Sequence, residues 1–113
     1  MDSSARIREL NDAFRTAFPG PFAGQGHVFI TAGIAAMSPE QQVEVMRRVH
    51  GFVAFTPDND PHGEHDFGNF KYAGKTIFWK VDCYDRDLNY GSPDPADENV
   101  TERVLTVMLA EEY

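Results

Sequence analysis

The sequence predicts an α+β fold, with three helices packed on a small, mainly antiparallel sheet that contains a central β-hairpin. Two segments in the first half of the chain repeat apolar residues at the three- and four-residue steps of an amphipathic helix. Residues 67–85 alternate like two strands around a glycine turn. The chain has 113 residues, which is the size of one domain, and we place that domain over residues 1–113.

The first helix is predicted in SARIRELNDAFRTAF, where one apolar stripe is formed by Ile7, Leu10, Phe14 and Ala17. The segment PGPFAGQG, residues 19–26, should end this helix, because it contains two prolines and three glycines. The run HVFITAG that follows is rich in β-branched and aromatic residues and is bounded by glycine. It predicts the first strand.

The second helix is predicted to begin at SPEQ, residues 38–41. Ser38 suits the N-cap, Pro39 suits the first helical position, and Gln41 stands where a capping box requires it. Gly51 is expected to end the helix. Its buried face should carry the apolar residues Val43, Met46 and Val49.

Two apolar runs flank AGK, which predicts a β-hairpin with Gly74 supplying a positive φ angle. A two-residue turn would place His65 opposite Asp82, and a three-residue turn with a bulge would place Glu64 there. Cys83 is expected to be a small buried side chain and not a reactive thiol. The core face of the second strand should consist of Ile77, Trp79, Val81 and Cys83.

The third helix is predicted near the end of the chain. It should follow the proline-rich connector YGSPDPADEN and begin near Asp94 or Asp97. The residues expected on its buried face are Val100, Val104, Val107 and Met108.

The composition indicates a cytoplasmic protein. The single cysteine excludes an internal disulfide, the apolar runs are too short to span a membrane, and the polar first residues do not form a signal peptide. We therefore expect no membrane partner, and the oligomeric state is left open.

The formal net charge of −8 is unevenly distributed. Residues 58–98 hold ten of the eighteen acidic residues but four basic ones. Such a surface repels phosphate, which argues against direct nucleic-acid binding and favours a cation, a basic substrate or the basic groove of another protein. An acidic surface that serves only solubility is the simplest alternative.

Two polar loops should lie at the same end of the predicted hairpin. They are TPDNDPHGEHDFG before its first strand and YDRDLNYGSPDPADEN after its second. Loops of this length in a compact domain are commonly functional. We therefore expect one partner-binding surface built from both loops, with the residues Asp58, Asp60, Glu64, Asp66, Asp85, Asp87 and Asp94.

A divalent metal site is an alternative use of the same loops, because carboxylates and imidazoles are metal ligands. Its expected ligands are Asp58, His62, His65 and Asp82. The loop does not match a calcium-binding hand, since Asn69 stands where that motif has a bidentate glutamate, and HGEHD is not HExxH. A further alternative is purely structural, with aspartates that form turns before Pro61.

A metal-dependent hydrolase or another small enzyme would use this cluster of His, Asp and Glu residues. However, the sequence contains no GxSxG, GxGxxG or Walker A motif. We therefore assign no catalytic residue, and we expect a protein that acts by binding and has no resident cofactor apart from the divalent metal of the alternative.

Five segments also carry a resemblance to a known family: ELNDAFR, VFITAGIAAMSPE, FTPDNDPHGEHDFGNF, FWKVDCYDRDLNYGSPDPAD and RVLTVMLAEEY. They resemble domain-of-unknown-function family 3768 (DUF3768), a bacterial family associated with mobile elements. The resemblance implies that the two polar loops are the family's hallmark, and it implies no activity.

The mobile-element setting of that family implies a counter-defence role. The expected function is therefore a small acidic protein-binding domain, an inhibitor of the anti-CRISPR or anti-restriction type, whose partner is a host nucleic-acid-processing defence complex. The alternatives are the metal-dependent small enzyme and a structural domain without an active site.

Overall fold

The computed structural model describes residues 3–17 and 25–113, which form a four-stranded mixed sheet and three α-helices. The helices are α1 (Ser3–Ala17), α2 (Ala32–Ala35) and α3 (Pro39–His50). The strands are β1 (Gln25–Ile30), β2 (Phe67–Tyr72), β3 (Lys75–Tyr84) and β4 (Glu102–Leu109). The strand order is β1-β4-β3-β2, with β1 parallel to β4 and the other two pairs antiparallel. The predicted α+β class is confirmed.

The core lies between one face of the sheet and the helices. On that face, Ile77 pairs with Leu109, Trp79 with Val107 and Val81 with Leu105 across β3 and β4. The helices and the segment after α3 contribute Phe14, Ile34, Val45, Val49 and Phe52 to the same buried cluster. Burial of these apolar side chains is the main source of stability for a domain of this size.

Both longer helices form where they were predicted. The stripe Ile7, Leu10 and Phe14 is buried in α1. The capping box of α3 is present, with the Ser38 side chain accepting from the Gln41 backbone and the Gln41 side chain accepting from the Ser38 backbone. Gly51 is its C-cap. The predicted break at residues 19–26 falls mainly outside the described residues.

One position on α3 was predicted wrongly. Val43 is 69% exposed, whereas Val45 is fully buried and lies with Val49 in the core. Two residues correspond to about 200° of rotation around an α-helix, so Val43 and Val45 point in nearly opposite directions.

The hairpin closes through the two-residue turn Ala73–Gly74, in which both residues have positive φ angles of 52° and 77°. The register runs from Tyr72 opposite Lys75 to Phe67 opposite Lys80. The predicted alternation in β3 is confirmed, since its core-facing residues Ile77, Trp79 and Val81 are buried. The hairpin forms one side of the sheet, with β2 at the edge.

The predicted C-terminal helix is wrong. Residues 102–109 form β4, which lies between β1 and β3, and a short 3-10 turn (Glu98–Val100) precedes it. Seven of its eight residues are buried, from both faces of the strand. A strand buried on both faces shows no alternation, so its apolar run resembles a helical segment. The third α-helix is instead the single turn α2, which was not predicted.

Among the described residues, no helix is both long enough and apolar enough to cross a membrane.

Candidate functional site

The acidic loop, residues 56–66, is held in a defined conformation by its own hydrogen bonds. The Asp60 carboxylate oxygen Oδ1 accepts from the backbone amides of Glu64 and His65, both at 3.1 Å. At the start of the loop, the Thr56 amide donates to Asn59 Oδ1 at 2.9 Å, and the Asn59 amide donates to Thr56 Oγ1 at 3.3 Å. Asp60 is 8% exposed, so it is a buried part of this turn, although it was predicted on the partner-binding surface.

His65 connects the acidic loop to α1. Its Nδ1 lies 2.9 Å and 3.0 Å from the two carboxylate oxygens of Asp12, and its Nε2 lies 3.6 Å from Asp60 Oδ2. Its ring stacks on Phe55 with centroids 3.7 Å apart. The φ angle of His65 is 53°, a conformation that non-glycine residues adopt uncommonly and that is often found at functional sites.

Arg15, on α1, also contacts Asp12 and connects it to the end of α3. It is 2% exposed, and its Nη1 donates to the carbonyl oxygens of Val49 at 2.7 Å and His50 at 3.2 Å, at the end of α3. Its Nη2 donates to Asp12 Oδ1 at 3.1 Å, and its guanidinium carbon lies 4.8 Å from the Trp79 ring centroid. Burial lowers the pKa of Arg15, an effect that the hydrogen bond and charge of Asp12 oppose.

A buried pair of polar side chains connects the acidic loop to the second loop, residues 85–101. Asn11 Nδ2 donates to the Glu64 carbonyl at 3.0 Å, and Asn11 Oδ1 accepts from Arg103 Nε at 2.8 Å. Arg103 Nη2 in turn donates to the Pro95 carbonyl at 2.6 Å. Asn11 and Arg103 are each 1% exposed. The two loops are therefore fixed to one another through the protein interior.

Carboxylates also shape the second loop. Asp85 Oδ1 accepts from the amides of Asp87 at 3.1 Å and Asn89 at 3.0 Å. Asp94 Oδ1 accepts from the Ala96 amide at 3.1 Å. These short-range hydrogen bonds are typical of aspartate-stabilised turns. Some of the predicted surface acids thus hold the loop in shape.

The predicted partner-binding residues differ in accessibility. Asp60 is buried, Glu64, Asp66 and Asp85 are partly buried, and Asp58, Asp87 and Asp94 are exposed.

The predicted contact between His65 and Asp82 is replaced by two others. His65 lies beside Asp12, and Asp82 Oδ2 lies 3.1 Å from Lys80 Nζ. The two-residue turn does have the register that would bring His65 opposite Asp82, but β2 begins at Phe67. The left-handed backbone at His65 turns the chain away from β3 just before the strand begins.

The carboxylates of Asp60 and Asp82 are nevertheless close enough to act on Asp66. The pKa of Asp66 is raised, first by burial and then by the like charges of Asp60 and Asp82, while a backbone hydrogen bond and His62 oppose the change. Burial also raises the pKa of the partly buried Cys83 thiol, in agreement with the prediction of an unreactive cysteine.

The proposed metal ligands do not form a preassembled centre. Over residues 3–17 and 25–113, no group of three or more His, Cys, Asp or Glu side chains is arranged to hold a metal ion. Of the four expected ligands, His65 is bound to α1, Asp82 is paired with Lys80, and Asp58 and His62 are exposed.

Two open cavities flank the stacked rings of Phe55 and His65. One, of about 280 Å³, is also lined by Asp12, Arg15 and Phe52. The other, of about 450 Å³, lies against the acidic loop and is lined by Phe55, Pro57, Asp60, Pro61, His62 and His65.

Asn11, Asp12, Arg15 and Arg103 were not predicted as site residues. Asn11 and Arg15 could have been recognised, because they follow Ile7 at four-residue steps and therefore lie on the buried stripe of α1. A polar residue in such a stripe needs a partner in the interior. Arg103 carried no such signal, since it stands in the segment that was predicted as a helix.

The comparisons with known proteins agree with the resemblance. Neither a curated protein nor a solved structure matches the chain. The family model described as a protein of unknown function, DUF3768, matches residues 30–112, which include both loops and three of the four strands. The chain therefore belongs to the DUF3768 family.

Proposed function

We propose that this protein is a small binding domain that contacts a protein partner through an anionic surface formed by the acidic loop and the second loop. The observation that supports this proposal is the buried connection from Glu64 through Asn11 and Arg103 to Pro95. It holds the two loops in one arrangement before a partner arrives. A preorganised surface loses less conformational entropy on binding than a flexible one.

The distribution of the basic residues also supports an anionic surface. Lys71 and Lys75 lie on the hairpin near its turn, at the end opposite to the two loops. Arg86, in the second loop, is paired with Glu102, with 3.0 Å between Nε and Oε1. The exposed carboxylates of Asp58 and Asp87 are therefore set apart from Lys71 and Lys75.

The specific form that we propose is an inhibitor of a nucleic-acid-processing defence complex. Carboxylates on a rigid surface can occupy a basic groove where phosphates would otherwise bind. Binding of this kind is steered by charge, so it should weaken as the salt concentration rises.

The test is charge reversal on the loops. A partner is first captured from cells that carry defence systems, and its association with the purified protein is then measured at several salt concentrations. Asp58→Lys combined with Asp87→Lys should slow association at least about tenfold, because both residues are exposed. Asp85 is unsuitable for reversal, since its carboxylate holds the turn.

The matched control combines Glu9→Lys with Glu111→Lys, two exposed acids outside the loops that give the same change in net charge. We expect this control to alter the association rate by less than about threefold. Equal rates for the two double variants would show that the loops are not the interface.

A further inference from the structure

We propose that the cavity of about 450 Å³ beside the acidic loop receives one basic side chain, an arginine or a lysine, of the protein partner. This inference rests on the proposed function, and it adds a specific contact site for one side chain of the partner. The exposed acids would guide the partner to the surface, and the cavity would then hold one of its cationic groups.

The first argument is the state of the Asp60 carboxylate. The Asp60 side chain is 5% exposed and lines the cavity. Its Oδ1 accepts two backbone amides, whereas the contact of Oδ2 within the described residues is His65 Nε2 at 3.6 Å, which is longer than a hydrogen bond. A guanidinium or ammonium group in the cavity would add a charge-assisted hydrogen bond to this carboxylate.

The second argument is the nature of the cavity walls. The stacked rings of Phe55 and His65 form one part, and Pro57 and Pro61 form others. Apolar walls suit the hydrocarbon stem of a long basic side chain. The volume is near the lower end of the range for ligand sites, which fits one side chain better than a large ligand.

The third argument is the surrounding charge. Asp66 interacts electrostatically with Asp60, and the exposed Asp58 stands two residues before it in the same loop. A cation that enters the cavity therefore meets the Asp60 carboxylate in its wall, while Asp66 and Asp58 add negative charge nearby. An anionic ligand would be repelled by the same groups, so the chemistry favours a positively charged occupant.

The experiment uses small probes and the whole protein. The ¹⁵N-labelled chain is titrated with Nα-acetyl-argininamide and, separately, with Nα-acetyl-citrullinamide, which has nearly the same shape but no charge. Argininamide should produce saturable shifts at the amides of His62, Gly63 and His65, which line the cavity. Citrullinamide should bind at least about tenfold more weakly, because it cannot form the ion pair.

The decisive variant is Asp60→Asn. It keeps an oxygen that can accept both backbone amides, but it removes the charge at the base of the cavity. Argininamide affinity should fall at least about tenfold in this variant and stay within about twofold in the control Asp94→Asn, which removes one exposed carboxylate from the second loop.

The outcomes separate this inference from the proposed function. Unchanged argininamide binding in Asp60→Asn, or equal binding of the two probes, would overturn the cavity assignment. The assignment would also be wrong if zinc chloride, but not argininamide, shifted these amides, since the cavity would then be a metal site. If argininamide fails to bind while the Asp58 and Asp87 reversals still slow partner association, the cavity assignment is wrong and the proposed function stands.

Discussion

Nδ1 of His65 lies 2.9 Å from Oδ1 of Asp12, a residue 53 positions earlier in the chain, so the acidic loop is attached to α1. The same carboxylate also accepts from the buried guanidinium of Arg15. Asp12 therefore contacts both His65 in the acidic loop and Arg15 in α1, and the position of the acidic loop depends on α1.

Asp12→Ala should destabilise the protein by about 1–3 kcal/mol, because it removes charge-assisted contacts to two residues. Hydrogen exchange of the Glu64 and His65 amides should become faster at the same time, since the loop loses its attachment. Asp82→Ala is the control. Its side chain is about as exposed as that of Asp12, but it forms a single ion pair, with Lys80, so the loss should stay below about 1 kcal/mol. Equal losses of unfolding free energy for Asp12→Ala and Asp82→Ala in urea denaturation would contradict the structural role of Asp12.

Arg15→Ala should be more damaging, by about 3–5 kcal/mol, because the variant leaves two carbonyl groups and a carboxylate without their buried donor. Arg6→Ala on the same helix provides the comparison. Arg6 forms an exposed pair with Glu9, whose loss should change the free energy of unfolding by less than about 1 kcal/mol. A small effect of Arg15→Ala in chemical denaturation would mean that the guanidinium is not a structural centre.

Features governed by neighbouring residues could be predicted from the sequence. The capping box of Ser38 and Gln41 spans four residues, and the hairpin turn needs a local glycine at Gly74, so both were found, while the length of the turn had been left open. The β4 strand was missed because the run from Val104 to Leu109 has no alternation that would distinguish a buried strand from a helix.

The site was predictable to a smaller extent. The sequence indicated that the two loops lie at the same end of the hairpin. However, Asp82 was predicted as the partner of His65 by extending the strand pairing. Its actual partner, Asp12, lies on a separate helix, and strand pairing carries no information about such a contact. The connection through Arg103 depends on β4, and it could not be predicted once that segment was taken as a helix.

Gly68→Ala should destabilise the protein by about 1–3 kcal/mol. A Cβ atom at this position would lie 2.5 Å from Trp79 Nε1 and 2.8 Å from Phe52 Cε1, and both rings are held in the core. Gly91→Ala is the matched control, because a Cβ there would meet nothing within 4 Å. Thermal and urea denaturation should show a loss of stability for Gly68→Ala and almost none for Gly91→Ala.

Ala73→Asn should stabilise the hairpin by about 0.5–1 kcal/mol. Ala73 has a φ angle of 52°, and asparagine tolerates this left-handed conformation better than alanine, especially before glycine. The same substitution at the exposed Ala13 in α1 should have the opposite sign, because asparagine is a poorer helix former than alanine. A loss of stability at both positions would argue against this turn geometry.

Asp66→Asn should stabilise the protein at neutral pH. The pKa of Asp66 in the folded protein is raised above its ordinary value of 3.8, so folding opposes ionisation of this carboxyl group. The destabilising contribution of the ionised Asp66 carboxylate is absent below the pKa of the unfolded state, and it grows as the pH rises through the pKa of the folded state. The advantage of the variant in urea denaturation should therefore disappear as the pH falls below about 3.8.

Asp58→Asn is the control for this experiment, because it removes one charge from the acidic loop at an exposed position. A stability gain of the Asp66 variant that did not vary between pH 3 and pH 7 would show that burial of this carboxylate is not its cause.

The position of β4 in the sheet has a consequence for how the protein is made. This strand is the partner of both β1 and β3, yet it follows the other three described strands in the chain and therefore leaves the ribosome after them. Until residue 109 has emerged, β1 lacks its neighbour among the described strands, and the β3 edge of the hairpin is without β4. The nascent chain therefore exposes apolar strands throughout synthesis, and completion of the fold must wait for the final contacts between distant residues.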